Sequence, residues 1–326
     1  MLPSFSATRE ARTLLSRHLP VTRLVSAPSL SRFTSGDVFL KLESELPTGS
    51  FKPRGALYAL FVNLARRKPR EVVASSTGNH GAAVAYAAKL LGLPATIFLP
   101  ANPNPVKRAK IAALGARIVE SGLDLAEAFN GASANAQADD VYFLDDATDP
   151  DLPAGPATIA CEIFEQLPSA DLIYVPMGDT ALIRGVAAAT RHLSPKIRII
   201  GVQVERAPAY YLSWKRGHVV STETCDTIAD GLATRTPDAG NVEAIREVVD
   251  DMVLVGEEEM LSAIRHLLFE EHIVAEPSGA ATTAALMQSG EKRGTKIVAL
   301  VTGANITPDV LRKSVCERVD AESATR

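Results

Sequence analysis

A lysine in a turn between a strand and a helix is the first residue in the chain suited to covalent chemistry. Lys52 lies in the segment 47–55, between a strand-like run at residues 38–43 and a helical pattern that starts near Ala56. The electropositive start of a helix and an apolar neighbour such as Phe51 both disfavour an ammonium group. These local features predict a lysine with free amine available for attack on a carbonyl group.

Residues 75–81 form a second segment of interest, because they read Ser-Ser-Thr-Gly-Asn-His-Gly between a strand-like run and a helical pattern. Their amides and hydroxyls are expected at the carboxyl edge of a sheet, where anions bind in open α/β folds. A simple helix cap at Ser76 or Thr77 is the structural alternative. Seven consecutive small or polar residues exceed what a cap requires, so we predict a site for a small carboxylate.

Residues 178–182 repeat the same order of strand, turn and helix, with the sequence Gly-Asp-Thr-Ala-Leu. Small residues at the start of a helix can hold a phosphate with backbone N–H groups. The segment is neither a Walker loop nor a GxGxxG fingerprint. Asp179 would repel a dianion, unless it caps the helix and points away. The pattern leaves a phosphate loop and an ordinary helix cap as open alternatives.

The composition excludes several classes of function. The chain has 326 residues, of which 46% are hydrophobic, and a net charge of −4. This balance provides no basic surface for nucleic acid, and no apolar run reaches the length of a membrane span. Three widely spaced cysteines lack the CxxC spacing of a zinc site and fit a reducing compartment. We therefore expect a cytoplasmic protein without nucleic-acid or membrane partners.

Strand-like and helical segments alternate along most of the chain. Strands are predicted at residues 71–75, 95–100 and 116–119, with helices at 81–91 and 106–114, and the alternation returns between residues 171 and 302. This order predicts a parallel sheet with right-handed crossovers. Residues 145–156 are the expected crossing between two lobes. Residues 1–18 carry three arginines, a weak indication of a transit peptide, but an amphipathic helix ending before Pro20 is favoured.

Together these segments resemble the fold type II family of pyridoxal-phosphate enzymes, especially its threonine/serine dehydratase and serine racemase branch. The resemblance runs from about Leu19 to Asn305. It rests on six motifs in order, LKLE at 40–43, SFKPRGA at 50–56, TGNHG at 77–81, IADGLA at 228–233, EPSGA at 276–280 and TGAN at 302–305. The resemblance implies a tryptophan synthase β-like α/β fold with helices on both faces of parallel sheets. Its larger, cofactor-binding lobe would comprise residues 1–70 and 149–326, and its smaller, mobile lobe residues 71–148.

The resemblance also implies roles for particular residues around pyridoxal 5'-phosphate. Lys52 would form the Schiff base with the cofactor aldehyde and act as the catalytic base. The remaining roles place Phe51 beside the ring, Asn79 at the phenolic oxygen, Ser76, Thr77, Gly78 and His80 around the substrate carboxylate, Gly178, Asp179, Thr180, Ala181 and Leu182 at the phosphate, and Thr302 at the pyridine nitrogen. A neutral hydroxyl at that nitrogen favours elimination of a β-leaving group.

Three departures from the family pattern modify these expectations. The phosphate loop of this branch is usually a run of glycines, whereas Asp179 and Thr180 stand in it here. Thr77 stands where serine is common in this branch. The resemblance makes Thr77 a catalytic residue beside Lys52, and its stiffer side chain is expected to favour elimination over racemisation. Gln203 and Ala209 stand where racemase-like members carry metal-binding carboxylates, so we predict no metal site. We also expect no regulatory domain after Asn305.

The predicted function is a pyridoxal-phosphate-dependent ammonia-lyase that converts a β-hydroxy amino acid such as threonine or serine to a 2-oxo acid and ammonia. The family resemblance also implies a homodimer. Four alternatives share the fold. They are an amino-acid racemase, a dehydratase of 3-hydroxyaspartate or of the hydroxylated diamino acid of hydroxyectoine breakdown, a β-replacement or threonine-synthase-like enzyme, and a non-catalytic binder of the cofactor.

Overall fold

Two sheets carry the described part of the chain, which in the computed structural model comprises residues 1–76, 78–101, 103, 105–123, 125–290 and 294–316. The larger sheet has the strand order β1-β2-β10-β7-β8-β9, and the smaller has the order β5-β4-β3-β6. The strands are β1 (Leu24–Ser26), β2 (Asp37–Leu42), β3 (Glu71–Ser75), β4 (Ala95–Leu99), β5 (Arg117–Glu120), β6 (Val141–Phe143), β7 (Leu172–Pro176), β8 (Arg198–Val204), β9 (Asp251–Val255) and β10 (Lys296–Val301).

Helices connect these strands and cover both sheets. Their bounds are α1 (Phe5–Leu15), α2 (Pro28–Thr34), α3 (Pro53–Arg66), α4 (Asn79–Leu91), α5 (Pro105–Ala113), α6 (Leu125–Asn135), α7 (Ala154–Gln166), α8 (Ala181–Leu193), α9 (Ala209–Arg216), α10 (Ala239–Val248), α11 (Glu257–Phe269), α12 (Pro277–Met287) and α13 (Pro308–Cys316). Short 3-10 turns occupy Glu43–Glu45 and Asp230–Leu232.

The larger sheet is buried on both faces. In β10, Ile297, Ala299 and Val301 belong to one apolar cluster with α11 and α12, whereas Val298 and Leu300 belong to another with α7 and α8. Successive residues of a strand point to opposite faces, so a continuous apolar run indicates a strand covered on both sides. All strand pairs are parallel except β1 with β2. The expected parallel α/β architecture is confirmed.

The smaller sheet repeats this arrangement with β3 at its centre. Val72 and Ala74 pack in a cluster with residues of α3 and α4, and Val73 packs on the other face with Ala128 and Ala132 of α6. All of its strand pairs are parallel. Helix α3 contacts both α4, beside the smaller sheet, and α7, beside the larger sheet. Lys52, which precedes α3, therefore lies where the two sheet systems meet.

The predicted strands and helices between residues 71 and 119 are confirmed to within two residues at every end. The amphipathic first helix is also confirmed, since Ser4 caps α1 by accepting a hydrogen bond from the amide of Ala7 at 3.1 Å. The sequence prediction omitted β1, α2, α6, β6, α7, α9, α10, β9 and α13. In the described residues no helix is long and apolar enough to cross a membrane. The lobe boundaries at residues 70 and 148 stay a prediction.

Candidate active site

One cavity of about 720 Å³ opens beside the ends of β3, β7 and β10. Polar groups are expected there, because the carboxyl ends of parallel strands lie on one edge of a sheet. Among the predicted site residues, the cavity lining includes Phe51, Lys52, Ser76, Asn79, His80, Gly178, Asp179, Thr180, Ala181, Leu182 and Thr302. Gly78 does not line the cavity, and Thr77 lies outside the described residues, so the role expected for Thr77 stays a prediction.

Lys52 occupies the position just before α3 and is followed by Pro53 in the first turn. Proline suits that turn, because the first amides of a helix have no partner within the helix. The ammonium of Lys52 forms an ion pair with Asp146 and lies 5.3 Å from the centre of the Phe51 ring. The sequence reasoning, which considered only the helix terminus and Phe51, missed this carboxylate.

A buried ionic network holds the turn of Lys52 in place. Arg54 donates two hydrogen bonds to Glu43, at 2.8 and 2.9 Å, and two to Glu162, at 2.6 and 2.9 Å. Lys41 donates to the same Glu162 at 2.6 Å. Arg54 is 1% exposed, and Lys41 and Glu43 are fully buried. Two cations thus balance two anions, and the charged residues of the LKLE and SFKPRGA motifs orient α3.

The protonation of this network follows from its charges. Burial works to lower the pKa of Arg54, but the carboxylates of Glu43 and Glu162 outweigh it, and the pKa rises. Burial works to raise the pKa of Glu162, but Arg54 and Lys41 outweigh it, and the pKa falls. Both partners therefore remain charged, as a buried ion pair with satisfied hydrogen bonds requires.

The loop before α4 is arranged around Ser76 and Asn79. The hydroxyl oxygen of Ser76 accepts hydrogen bonds from the amides of Gly78 and Gly81, at 2.8 and 2.9 Å. Ser76 thus performs the capping function that was its structural alternative, while its hydroxyl hydrogen remains able to donate. The amide of Asn79 donates to Glu276 at 2.6 Å and accepts from Asn305 at 2.8 Å. The loop is therefore tied to the start of α12 and to the segment after β10.

The turn before α8 decides the role of Asp179. Thr180 is the residue that precedes the helix, with φ of 71°, so the alternative that Asp179 caps α8 is wrong. The carboxylate of Asp179 accepts a hydrogen bond from the hydroxyl of Thr234 at 2.9 Å. Burial and then the charge of Asp146 raise the pKa of Asp179 to about 6. A carboxyl with this pKa is still mostly ionised at pH 7, but it takes up a proton more readily than an ordinary aspartate, which partly reduces its repulsion of an anion.

Two further contacts define the edges of the cavity. A Cβ atom on Gly178 would overlap the carbonyl oxygen of Gly231 in the IADGLA motif, so only glycine fits there. Thr302 directly follows β10 and is 5% exposed, and its carbonyl accepts from the amide of Phe51 at 3.0 Å. The end of β10 thus lies directly beside the turn that carries Lys52.

Charged groups that the sequence did not assign also surround the cavity. Lys107 of α5 donates to Asp230 at 2.6 and 2.8 Å and lies 3.3 Å from Glu276. Glu276 is 2% exposed, and its burial raises its pKa. The acidic residue Asp146 follows β6, a strand of three residues that the sequence pattern did not show. No local signal therefore marked Asp146 as a residue at the edge of a sheet.

The residues expected to replace metal ligands are engaged elsewhere. Gln203 is fully buried and accepts a hydrogen bond from the amide of Tyr211 at 2.8 Å. Ala209 begins α9. Among the described residues, no group of three or more His, Cys, Asp or Glu side chains could hold a metal ion. Independence from metal ions stays a prediction, to be checked by assay with a chelator.

Comparison with known proteins identifies relatives over almost the whole chain. A family model described as pyridoxal-phosphate dependent enzyme matches residues 15–303. The L-threonine ammonia-lyase of Thermotoga maritima is 36% identical over 307 residues, covering 94% of this chain and 77% of that protein. The catabolic L-threonine dehydratase of Escherichia coli K12 is 33% identical over 301 residues, 91% of each chain. The structure of maize serine racemase superposes with a TM-score of 0.90 at 27% identity, covering 99% of this chain and all of that chain.

Proposed function

Because the chain belongs to the family of pyridoxal-phosphate-dependent enzymes, we propose that it is a dehydratase that removes water from a β-hydroxy amino acid and yields a 2-oxo acid and ammonia. The observation that carries the proposal is the convergence of Lys52, the loop before α4 and the start of α8 on one cavity. The choice of a lyase is supported by two relatives at 33% and 36% identity that are named as threonine dehydratase and threonine ammonia-lyase.

The cavity fits the cofactor. Lys52 provides an amine with only 15% of its side chain exposed, opposite the first residues of α8. The first amides of a helix have no partner within the helix and can bind a phosphate. Asp179 is the least favourable neighbour for that phosphate, and its raised pKa of about 6 weakens the conflict. Thr302 lines the same cavity as Lys52, and its neutral hydroxyl donates to the carbonyl of Ser278 at 3.4 Å.

Different residues of the chain have different roles in the reaction. The bound cofactor supplies the electron sink for the electron pair of the Cα–H bond. Lys52 accepts the Cα proton at Nζ, and the β-carbon–oxygen bond breaks as a nearby acid gives its proton to the leaving oxygen. Water then hydrolyses the resulting imine to the 2-oxo acid and ammonia. The hydroxyl of Ser76 and the side chains of Asn79 and His80, which line the cavity, would hold the substrate carboxylate. The contact of Lys107 in α5 with Asp230 in the 3-10 turn borders the cavity and would restrict access of water.

Threonine and serine are the proposed substrates. Asp145, Asp146 and Asp179 all line the cavity, and their carboxylates oppose an additional carboxylate on the substrate side chain. This distribution disfavours 3-hydroxyaspartate and is compatible with a neutral or cationic side chain, as in the hydroxylated diamino acid. The substrate panel should therefore contain all of these compounds.

A racemase is the second candidate, because the fold superposes on maize serine racemase over 99% of the chain. Both candidates are tested in one experiment on the purified enzyme with pyridoxal phosphate. Release of 2-oxo acid and formation of the enantiomer are measured for D- and L-threonine, serine and their relatives. We expect 2-oxo acid release to exceed enantiomer formation. Faster enantiomer formation would make the enzyme a racemase, and neither product would leave a non-catalytic binder.

We further propose that the enzyme is a cytoplasmic homodimer. Both proposals come from the family resemblance, and the widely spaced cysteines are compatible with a reducing compartment. Sedimentation velocity of the loaded enzyme tests the assembly, with twice the chain mass of 34.6 kDa as the expected result. A species at the mass of one chain would contradict it.

A further inference from the structure

Asp146 is a carboxylate in direct contact with the nitrogen of Lys52. The two residues are 94 positions apart in sequence, and their side chains are 15% and 16% exposed. Asp146 follows β6, so its position depends on the smaller sheet, whereas Lys52 precedes α3. No role in the reaction has yet been assigned to this carboxylate.

Two helices, α4 through His80 and α8 through Arg184, position Asp146. Oδ1 of Asp146 lies 3.4 Å from Nδ1 of His80, and Nε2 of His80 donates to the carbonyl of Leu144 at 2.9 Å. The guanidinium of Arg184 donates to the carbonyl of the next residue, Ala147, at 2.8 Å. Among the described residues, Oδ1 accepts no hydrogen bond within the usual limits and is closed off from solvent. The carboxylate is thus fixed with Oδ2 towards Lys52.

Charged groups of both signs face Asp146. The cations are Lys52 before α3, His80 on α4 and Arg184 on α8, and the anions are Asp179 before α8 and Asp145 in the same segment. Burial works to raise the pKa of Asp146, but the charges of Lys52 and His80 outweigh it, and the pKa falls. Asp146 therefore stays ionised when the site is at neutral pH.

We propose that Asp146 is a positioning residue that holds a proton on the Lys52 nitrogen, an inference that rests on the proposed function. A fixed anion at hydrogen-bond distance favours the charged form of its partner. Its effect opposes that of the helix terminus, which acts at the same nitrogen. When the cofactor is attached, Oδ2 of Asp146 would accept the hydrogen bond of the Lys52 N–H.

The same contact assists the removal of the Cα proton. In this step the Cα–H bond breaks, its electron pair passes to the bound cofactor, and the proton forms a new N–H bond on Nζ of Lys52. Positive charge therefore develops on Nζ, next to Oδ2 of Asp146. A preorganised anion at the place where charge develops stabilises the transition state more than the ground state.

The experiment compares Asp146→Asn with the wild type in the loaded enzyme. The absorbance of the cofactor attached to Lys52 is recorded as a function of pH, a readout that needs no turnover. An opposite charge in contact shifts such a midpoint by about 1–3 pH units. We expect the midpoint of Asp146→Asn to lie lower than that of the wild type by about this amount, and kcat to fall more than KM rises.

Asp145→Asn is the matched control, because it removes one negative charge from the adjacent residue. The carboxylate of Asp145 accepts hydrogen bonds from the amide of Thr148 at 3.1 Å and from its hydroxyl rather than from Lys52. Its midpoint should move by less than a third of the change in Asp146→Asn. Equal shifts in both variants, or no shift in Asp146→Asn, would overturn the inference.

The outcome is distinguishable from failure of the proposed function. A shifted midpoint in an enzyme that releases no 2-oxo acid would support the role of Asp146 and reject the dehydratase. An unshifted midpoint in an active dehydratase would reject the role of Asp146 alone. If Asp146→Asn does not bind the cofactor, Asp146→Ser provides a second neutral residue, and Asp146→Glu should restore a midpoint near that of the wild type.

Discussion

At Lys52, a helix terminus and a carboxylate act on the same nitrogen in opposite directions. The first amides of α3 disfavour an ammonium, whereas Asp146 accepts its hydrogen bond. A lysine that must bind a carbonyl and later carry a proton benefits from both influences. The assignment of the reaction to Lys52, rather than to another lysine of the cavity such as Lys107, is a prediction of the proposed function.

Replacement of Lys52 by Ala should abolish turnover, with a fall of more than about 10³-fold, because both attachment of the cofactor and proton transfer depend on its amine. Borohydride reduction of the loaded wild type, followed by peptide mass spectrometry, should find the cofactor on Lys52. The exposed Lys89 of α4, replaced by Ala, serves as the control and should retain activity. A label on any other lysine would refute the assignment.

At the scale of elements, the starts of α3 and α8 build the site, and each depends on charged groups that do not react. Arg54 ties α3 to Glu43 and to Glu162 of α7. Asp179 and Thr180 shape the turn before α8 in place of the glycines expected from the family pattern. The first arrangement fixes the position of Lys52, and the second sets the charge that a bound phosphate meets.

Replacement of Arg54 by Ala should lower the free energy of unfolding by about 3–5 kcal/mol, because it leaves the buried carboxylate of Glu43 without a cation and leaves Glu162 with Lys41 alone. Urea unfolding followed by circular dichroism measures the change. Arg66→Ala, on the same helix, removes an ion pair with Asp151 in which the arginine side chain is 63% exposed. That control should cost less than about 1 kcal/mol. Equal losses in the two variants would contradict the structural role of the network.

Replacement of Asp179 by Asn should stabilise the protein, and more so as the pH rises. In the folded state the carboxyl of Asp179 has a pKa of about 6, whereas its ordinary value is 3.8. The free energy of unfolding of the wild type therefore falls as the pH rises between these two values. Asn resembles the protonated form and avoids this loss, which approaches about 3 kcal/mol at high pH. Thermal unfolding of the cofactor-free protein at about pH 5 and 7.5 measures it.

The control for that measurement is Asp309→Asn, which removes a carboxylate that is 88% exposed on α13. Its effect on stability should be small and should not grow between the two pH values. An Asp179→Asn variant whose advantage is the same at both pH values would show that the carboxyl of Asp179 is ionised throughout, contrary to the effect of its burial.

At the scale of the whole molecule, α5 of the smaller sheet system is held against the larger one across the cavity. Lys107 reaches Asp230 and Glu276, and Lys110 donates to Asn305 and to the carbonyl of Thr48 at 3.0 Å. Burial works to lower the pKa of Lys107, but Glu276 and Asp230 outweigh it, and the pKa rises. We expect these contacts to hold the cavity closed on the side of the loop before α4.

Replacement of Lys107 by Met should loosen this closure, because the buried carboxylate of Glu276 loses a cation. Hydrogen–deuterium exchange is expected to become at least about tenfold faster in α4 and α5, and KM should rise more than kcat falls. Lys89→Met, also in the smaller sheet system but exposed, is the matched control. Unchanged exchange in Lys107→Met would mean that the closure rests on other contacts, such as those of Lys110.

The sequence by itself predicted the parallel α/β fold, the turn of Lys52 and the segments at the starts of α4 and α8. These features depend on local patterns, such as continuous apolar strands and small residues at helix termini, which a chain carries wherever it folds. The family motifs extended this prediction to the cofactor and to the reaction. The weak β6, with only three residues, and α6 lacked such a pattern and were missed.

Only the tertiary structure brought Asp146 to Lys52, across 94 residues, and Lys107 to Asp230, across 123 residues. Electrostatic effects depend on distance and burial, and neither is present in a local pattern. The same reason explains Asp179, whose carboxyl was expected to cap α8 or repel a phosphate. Its protonation is decided by burial and by the charge of Asp146, which reaches it from a different sheet system.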